Sequence, residues 1–388
     1  MHPDDPGDNR VFANVGEHTS DGATKTFFQY TRVATVRTPF GPGLRAGDRV
    51  RVRTLEEVLA TLDSNARLDG LPFMPEMANC GGKEFTVLKR VEKINDLADR
   101  SGLRRMKDAV ILDGVRCDGT FHGGCQALCQ SIWKETWLVR VDDGAAGEPR
   151  SKTSSTSGTT AKQIGAAGGI QEDLLRACRG PESGNEETFS CQMTELKNAS
   201  SYLAWWDVRQ YVRDLRSGNA SLGEIVRAFA YWILTLIASH VGGTRLLVGA
   251  YNRVQKLRGG DPYPRNGTLQ KTPTEKLHLK PGELVQVKSY DEILETLDTR
   301  NKNRGLWFDV EMVKYCNGVY RVLCRVERIV HPKSGRMLTF DTDCIVLEGV
   351  TTRGEYHRFY PQNEYPFWRE IWLRRYVPTP GEPVPRTK

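Results

Sequence analysis

Apolar and charged side chains alternate from Val87 to Ile94 and again from Val322 to Ile329, the two-residue period of a half-buried strand. The two runs are related. The stretch GDRVRVRTLEEVLATLDSNARLDG from Gly47 lies without gaps on GELVQVKSYDEILETLDTRNKNRG from Gly282, and the register continues through EFTVLKRVEKI against VYRVLCRVERI. After a short compensated insertion it resumes for ILDGV, Trp133, Glu135 and Trp137 against VLEGV, Trp368, Glu370 and Trp372. The chain thus reads as one module of about a hundred residues carried twice.

Each copy predicts a short alternating strand, then a helix opened by a capping box (Thr54 with Glu57, Ser289 with Glu292), then two β-rich runs. The shared Trp-x-Glu-x-Trp, taken as a strand, places both tryptophans and the glutamate on one face. The expected fold class is α+β: two homologous β-rich modules, each a partly open, SH3-like barrel with one helix, flanking a helical central segment. Residues 47–140 and 282–375 are expected to share one strand order.

Between the copies the pattern changes to a helical period. WWDVRQYVRDL is followed by SLGEIVRAFAYWILTLIASHVGG, in which Ser221 and Glu224 form a capping box and Gly242 and Gly243 end the helix. Ile225, Phe229, Trp232, Ile233, Leu236, Ile237 and His240 recur along one side. The uninterrupted apolar run is about a dozen residues, short of the roughly 20 that a membrane span requires, so a core helix with His240 as a satisfied core histidine is expected. The stretch 143–170, rich in Gly, Ser, Thr and Ala, reads as a flexible linker. The expected plan is therefore an N-terminal extension (1–46), a first module (47–142), the linker (143–170), a helical segment (171–260), a second module (282–378) and a C-terminal tail (379–388).

Composition adds bounds. A chain of 388 residues holds two or three cores, and 39% hydrophobic with 27% charged residues excludes wholesale disorder and a polytopic membrane protein. The surplus of 55 basic over 48 acidic residues, +7, permits an anionic partner without demanding one. The opening MHPDDPGDNR lacks a secretion pattern, and nine unevenly clustered cysteines suit a reduced, cytoplasmic setting better than a disulfide framework.

The chemistry concentrates in GVRCDGTFHGGCQALCQSIWKETW. Cys117, His122, Cys125 and Cys129 place four soft or borderline donors within thirteen residues, which suits Zn2+ or an iron-sulfur cluster. Gly119, Gly123 and Gly124 allow the tight turn that such convergence needs, and a helix begun at Cys125 would put its sulfur beside that of Cys129. The second copy serves as an internal control. Thr352, Tyr360 and Glu364 stand where the three thiols should be, so the thiols are special to copy one; His357 persists opposite His122, which makes His122 the least secure ligand. Cys178 and Cys191 offer an alternative fourth ligand, and one of them with Cys117, Cys125 and Cys129 would form an all-thiolate site of the kind that iron-sulfur clusters prefer. Cys324 and Cys344 lie in strand-like runs and read as buried hydrophobes; Cys80 and Cys316 sit one position out of register. The three first-copy cysteines are expected to gather with at least one of His122, Cys178 and Cys191.

Glu135 recurs as Glu370 where thiols are absent, so an ion pair with Arg90, shared as Arg325, is expected in place of general-acid chemistry. No Walker A sequence, dinucleotide fingerprint, HExxH or GxSxG elbow is present, which removes the usual support for nucleotide hydrolysis, nicotinamide redox and common hydrolases. HGGCQALC with the downstream WKETW resembles an uncharacterised bacterial protein family, mainly over the first copy; the resemblance implies no activity. The expected function is a cytoplasmic metalloprotein. The alternatives are a thiol- or cluster-dependent redox tailoring enzyme, and a nucleic-acid-binding protein using Arg49, Arg51 and Arg53 or Arg104, Arg105 and Lys107 on phosphates.

Overall fold

Val50 and Val52 alternate with Arg49 and Arg51, so the strand Arg49–Val52 buries one face and solvates the other. In the computed structural model this strand is hydrogen-bonded antiparallel to Glu84–Arg90 on one side and Leu138–Arg140 on the other. Ala109–Arg116 and Gln130–Lys134 complete a five-stranded sheet beyond Glu84–Arg90. The structure describes residues 43–96, 102–141, 172–180, 187–240, 245–258, 260, 262–354, 356 and 363–378. The expected N-terminal extension lies outside them up to residue 42, as do the whole expected linker, 143–170, and the C-terminal tail, 379–388.

A second five-stranded sheet has the order Trp368–Arg369, Met337–Leu347, Val319–Val330, Leu284–Val287, Leu373–Arg375, which repeats the first strand for strand. Several elements recur at one spacing of 235 positions, including the capped helices Leu55–Leu59 and Tyr290–Leu294 and the 3-10 turns Pro75–Cys80 and Val310–Tyr315. Both predicted capping boxes form. The architecture is mixed α/β, dominated by antiparallel strands in a half-barrel arrangement.

The Trp-x-Glu-x-Trp segment departs from its sequence reading. Its strands stop at Lys134 and Arg369, and Glu135–Trp137 and Glu370–Trp372 are 3-10 turns. Both tryptophans of each copy still enter one core, because the turn swings the second indole beneath the sheet. Trp133 and Trp137 meet Phe73 edge-on at 6.3 and 5.3 Å; Trp368 and Trp372 meet Phe308 at 6.1 and 5.3 Å. The Trp137 and Trp372 indole N–H groups donate to Thr61 and Thr296 at 2.9 Å. The glutamates turn the other way, Glu135 onto Arg90 and Glu370 onto Arg325 at 2.9 Å, as the ion-pair reading expects.

The central segment is docked on the first module. Asn219 accepts from the Arg90 N–H and donates to the Arg90 carbonyl at 2.8 and 2.7 Å, and buried Asp214 of the helix Arg209–Ser217 pairs with buried Lys93. Gln192 bonds both backbone groups of Ile132 at 2.8 and 2.9 Å and the Pro72 carbonyl at 3.1 Å. Gln192→Ala leaves these buried groups unpaired and is expected to cost about 1–3 kcal/mol in urea unfolding; an unchanged midpoint would show that water replaces the amide.

The helix Leu222–His240 forms where its pattern predicts, with Ser221 and Glu224 capping it. It is not the core helix expected. Ile225 and Leu234 are buried, whereas Trp232 and Ile233 are 42% and 48% exposed, and Phe229, Leu236 and Ile237 are exposed too. The apolar stripe is wider than the surface this chain offers it: Tyr231, on the packed side, occupies the available contacts with Tyr251, Tyr263 and Tyr356. The His240 side chain lies outside the described residues. Among the described residues, no helix is long and apolar enough to cross a membrane.

Candidate metal centre

The cysteine-bearing loop is built on glycine. Gly119 has φ +73°, and a Cβ there would fall 1.8 Å from the Cys125 carbonyl, so only glycine lets the two ends of the turn close. The Gly119 carbonyl then accepts from the N–H groups of His122 and Gly124 at 2.9 and 3.0 Å, and the Cys117 N–H donates to the Cys129 carbonyl at 2.8 Å. No helix begins at Cys125. Residues 125–129 are irregular, with Leu128 at φ +51°, because the Gln126 N–H pairs with Arg328 of the other module instead of its own chain.

Within this loop the Cys117 sulfur lies 3.8 Å from His122 Nδ1. A third donor arrives from the 3-10 turn Pro75–Cys80. Among the described residues, Glu76, Cys117 and His122 are the group that brings three ligand atoms within 4.8 Å of one another. Both Glu76 carboxylate oxygens and His122 Nε2 are buried without a hydrogen-bond partner. Buried polar atoms in that state are costly, and a cation held between Glu76, Cys117 and His122 is one way to relieve them.

The second copy shows what the same glutamate does where the thiols are missing. Glu311, in register with Glu76, accepts from the backbone N–H groups of Arg353, Gly354 and Tyr356. Copy one therefore withholds three amides from Glu76 and offers Cys117 and His122. His357 lies outside the described residues. Burial, reinforced by the Glu76 charge, pushes the Cys117 thiol well above its ordinary value, and burial pushes His122 down toward the neutral imidazole, with Glu76 opposing.

The remaining thiols form a neighbouring group. The Cys129 thiol is raised by burial first and then by the proximity of Cys191 and Cys125. Cys191 is raised by burial with a smaller contribution from Cys125, and Cys178 is pushed up to about 12 by burial, with Glu76 and Cys191 adding to it. Cys191 is thus near Cys125 and Cys129, and Cys178 near Cys191 and Glu76, but among the described residues none of Cys125, Cys129, Cys178 and Cys191 joins a group of three donor atoms within 4.8 Å. The Cys125 sulfur accepts the Val330 N–H of the second module at 3.3 Å. None of the nine cysteines is in a disulfide; Cys344 is buried and Cys80, Cys316 and Cys324 are half-buried.

No family model and no curated protein matches the chain. The site therefore rests on its own geometry.

Of the arginines in the nucleic-acid alternative, Arg104 is buried on the Ser200 hydroxyl and the Lys197 and Ser200 carbonyls and is committed within the fold, whereas Arg49, paired with Glu84 at 2.7 Å, and Arg53, donating to the Thr136 carbonyl, stay at the surface. Glu76 escaped the sequence reading because Glu311 repeats it; a residue common to both copies looks structural. The available signal was its position, since the turn bearing it faces the loop whose other residues changed.

Proposed function

We propose that the protein is a zinc metalloprotein whose ion is held by Glu76, Cys117 and His122, with Cys129 or Cys178 as the fourth donor. The observation that carries this reading is the convergence of the Glu76, Cys117 and His122 donor atoms around orphaned oxygens and nitrogen. A carboxylate, a thiolate and an imidazole form a mixed donor set that suits zinc, whereas iron-sulfur clusters prefer thiolates. The shared spacing of the two sheets supports descent from one duplicated module, of which one copy acquired the ligands. Nine cysteines with no disulfide among them favour a reducing compartment such as the cytoplasm.

Protein purified without oxygen is expected to be colourless and to carry zinc near one per chain, measured by atomic emission after dialysis. Glu76→Gln and Cys117→Ser, which preserve shape, should each release it. Full retention of metal in both variants would overturn the assignment.

The proximity of Cys125, Cys129 and Cys191 supports a second reading, an iron-sulfur cluster completed by Cys117 or Cys178. A brown preparation bleached by Cys125→Ser and Cys191→Ser would establish it over zinc. A thiol redox enzyme is less favoured, because the thiolate is the nucleophile and burial raises the Cys117, Cys129, Cys178 and Cys191 thiols.

A further inference from the structure

The helix Leu222–His240 turns an apolar face outward. At 100° per residue, Leu222, Val226, Phe229, Trp232, Ile233, Leu236 and Ile237 fall on one side, all are exposed, and no charged side chain interrupts them. The stripe is about 22 Å long. Trp205 stacks beside it, 6.3 Å from Trp232, and carries the exposed Trp206 with it. The neighbouring helix Arg245–Arg258, reached through Tyr231 and Tyr251, repeats the design: exposed Leu246, Leu247, Val254 and Leu257 form a stripe flanked by exposed Arg253 on one edge and Arg258 on the other. Apolar surface of this extent on a water-facing element signals an occupant.

Charge identifies its kind. Between Ser201 and Arg258 the sequence has eight basic and three acidic residues, so this short stretch supplies most of the chain's surplus of +7. All three acids are committed: Asp207 pairs with Arg209, Asp214 with Lys93, and Glu224 caps its own helix. Arg216, Arg253, Lys256 and Arg258 remain exposed. Two copies meeting face to face would bring like-charged rims together, whereas an anionic lipid surface accepts the stripe among its acyl chains, the tryptophans at headgroup level and the guanidinium groups on its phosphates. Because no described helix can span, the helix would lie in the plane of the surface.

We propose that these two helices, with Trp205 and Trp206, dock the protein on an anionic membrane surface. The full-length, metal-loaded protein is to be floated with vesicles of phosphatidylcholine alone and of phosphatidylcholine with phosphatidylglycerol. Binding is expected only to the second, weakening with added salt, with a blue shift of tryptophan emission. Arg253→Ala with Arg258→Ala should weaken it roughly thirtyfold, and Ile233→Asp with Leu257→Asp should abolish it; all four positions are at or near the surface, and far-ultraviolet dichroism of each variant verifies the fold. No flotation with the anionic vesicles, equal flotation with neutral ones, or a stable dimer by sedimentation that is dispersed by the Asp variants would each overturn the proposal.

Discussion

If Glu76, Cys117 and His122 hold zinc as proposed, stripping it is expected to lower the unfolding free energy by about 4 kcal/mol where the free ion had stood a thousandfold above its dissociation constant. The effect should reach beyond the ligands. The loop that carries Cys117 and His122 is also the contact with the second module: Gln126 accepts from the N–H groups of Glu327 and Arg328 at 2.7 and 3.1 Å, Cys125 accepts from Val330, and the Arg116 guanidinium lies 4.1 Å over the Tyr365 ring. Without the proposed ion, the Glu76 oxygens and His122 Nε2 stay buried without the partner it would supply, which is expected to loosen the loop. Hydrogen exchange read at amides 327, 328 and 330 before and after chelation checks this. Faster exchange there, with the strand Arg49–Val52 unchanged, is the expected pattern; unchanged exchange would confine the ion's role to its own module.

Asp214→Ala should destabilise the protein by about 3–5 kcal/mol, because it strands the Lys93 ammonium where water cannot reach it. Lys93 is 1% exposed and Asp214 fully buried, and their contact fastens the helix Arg209–Ser217 to the first module, with the ammonium also 4.8 Å from the Tyr211 ring. The expected cost lies in the uncompensated charge more than in the pair itself. Lys93→Met combined with Asp214→Leu should therefore recover most of the loss in chemical denaturation, since apolar side chains fill the same space without desolvating an ion. A double variant no more stable than Asp214→Ala would show that the pair provides specific docking that packing cannot replace.

The sequence by itself determined the parts of this protein that depend on near neighbours along the chain. Strand alternation at Val50 and Val52, the capping boxes at Thr54, Ser221 and Ser289, and the glycine turn at Gly119 are local, and each was legible because a period, a cap or a positive φ is fixed by a few adjacent residues. The repeated strand order was legible for a related reason, since register compares the chain only with itself.

Tertiary structure alone decided three things. It brought Glu76 to Cys117 and His122, across some forty residues, and showed by contrast with Glu311 that this carboxylate lacks the amides its counterpart holds. It decided that residues 125–129 are irregular and not the start of a helix, because Arg328 and Val330 of the second module pair with the backbone and sulfur of that loop. And it left the apolar stripe of Leu222–His240 facing outward, although its hydrophobic period is that of a core helix. Periodicity specifies which side of a helix is apolar; what lies against that side depends on how much surface the rest of the chain can bring to it, and here Tyr231 and its ring neighbours had already taken the other side.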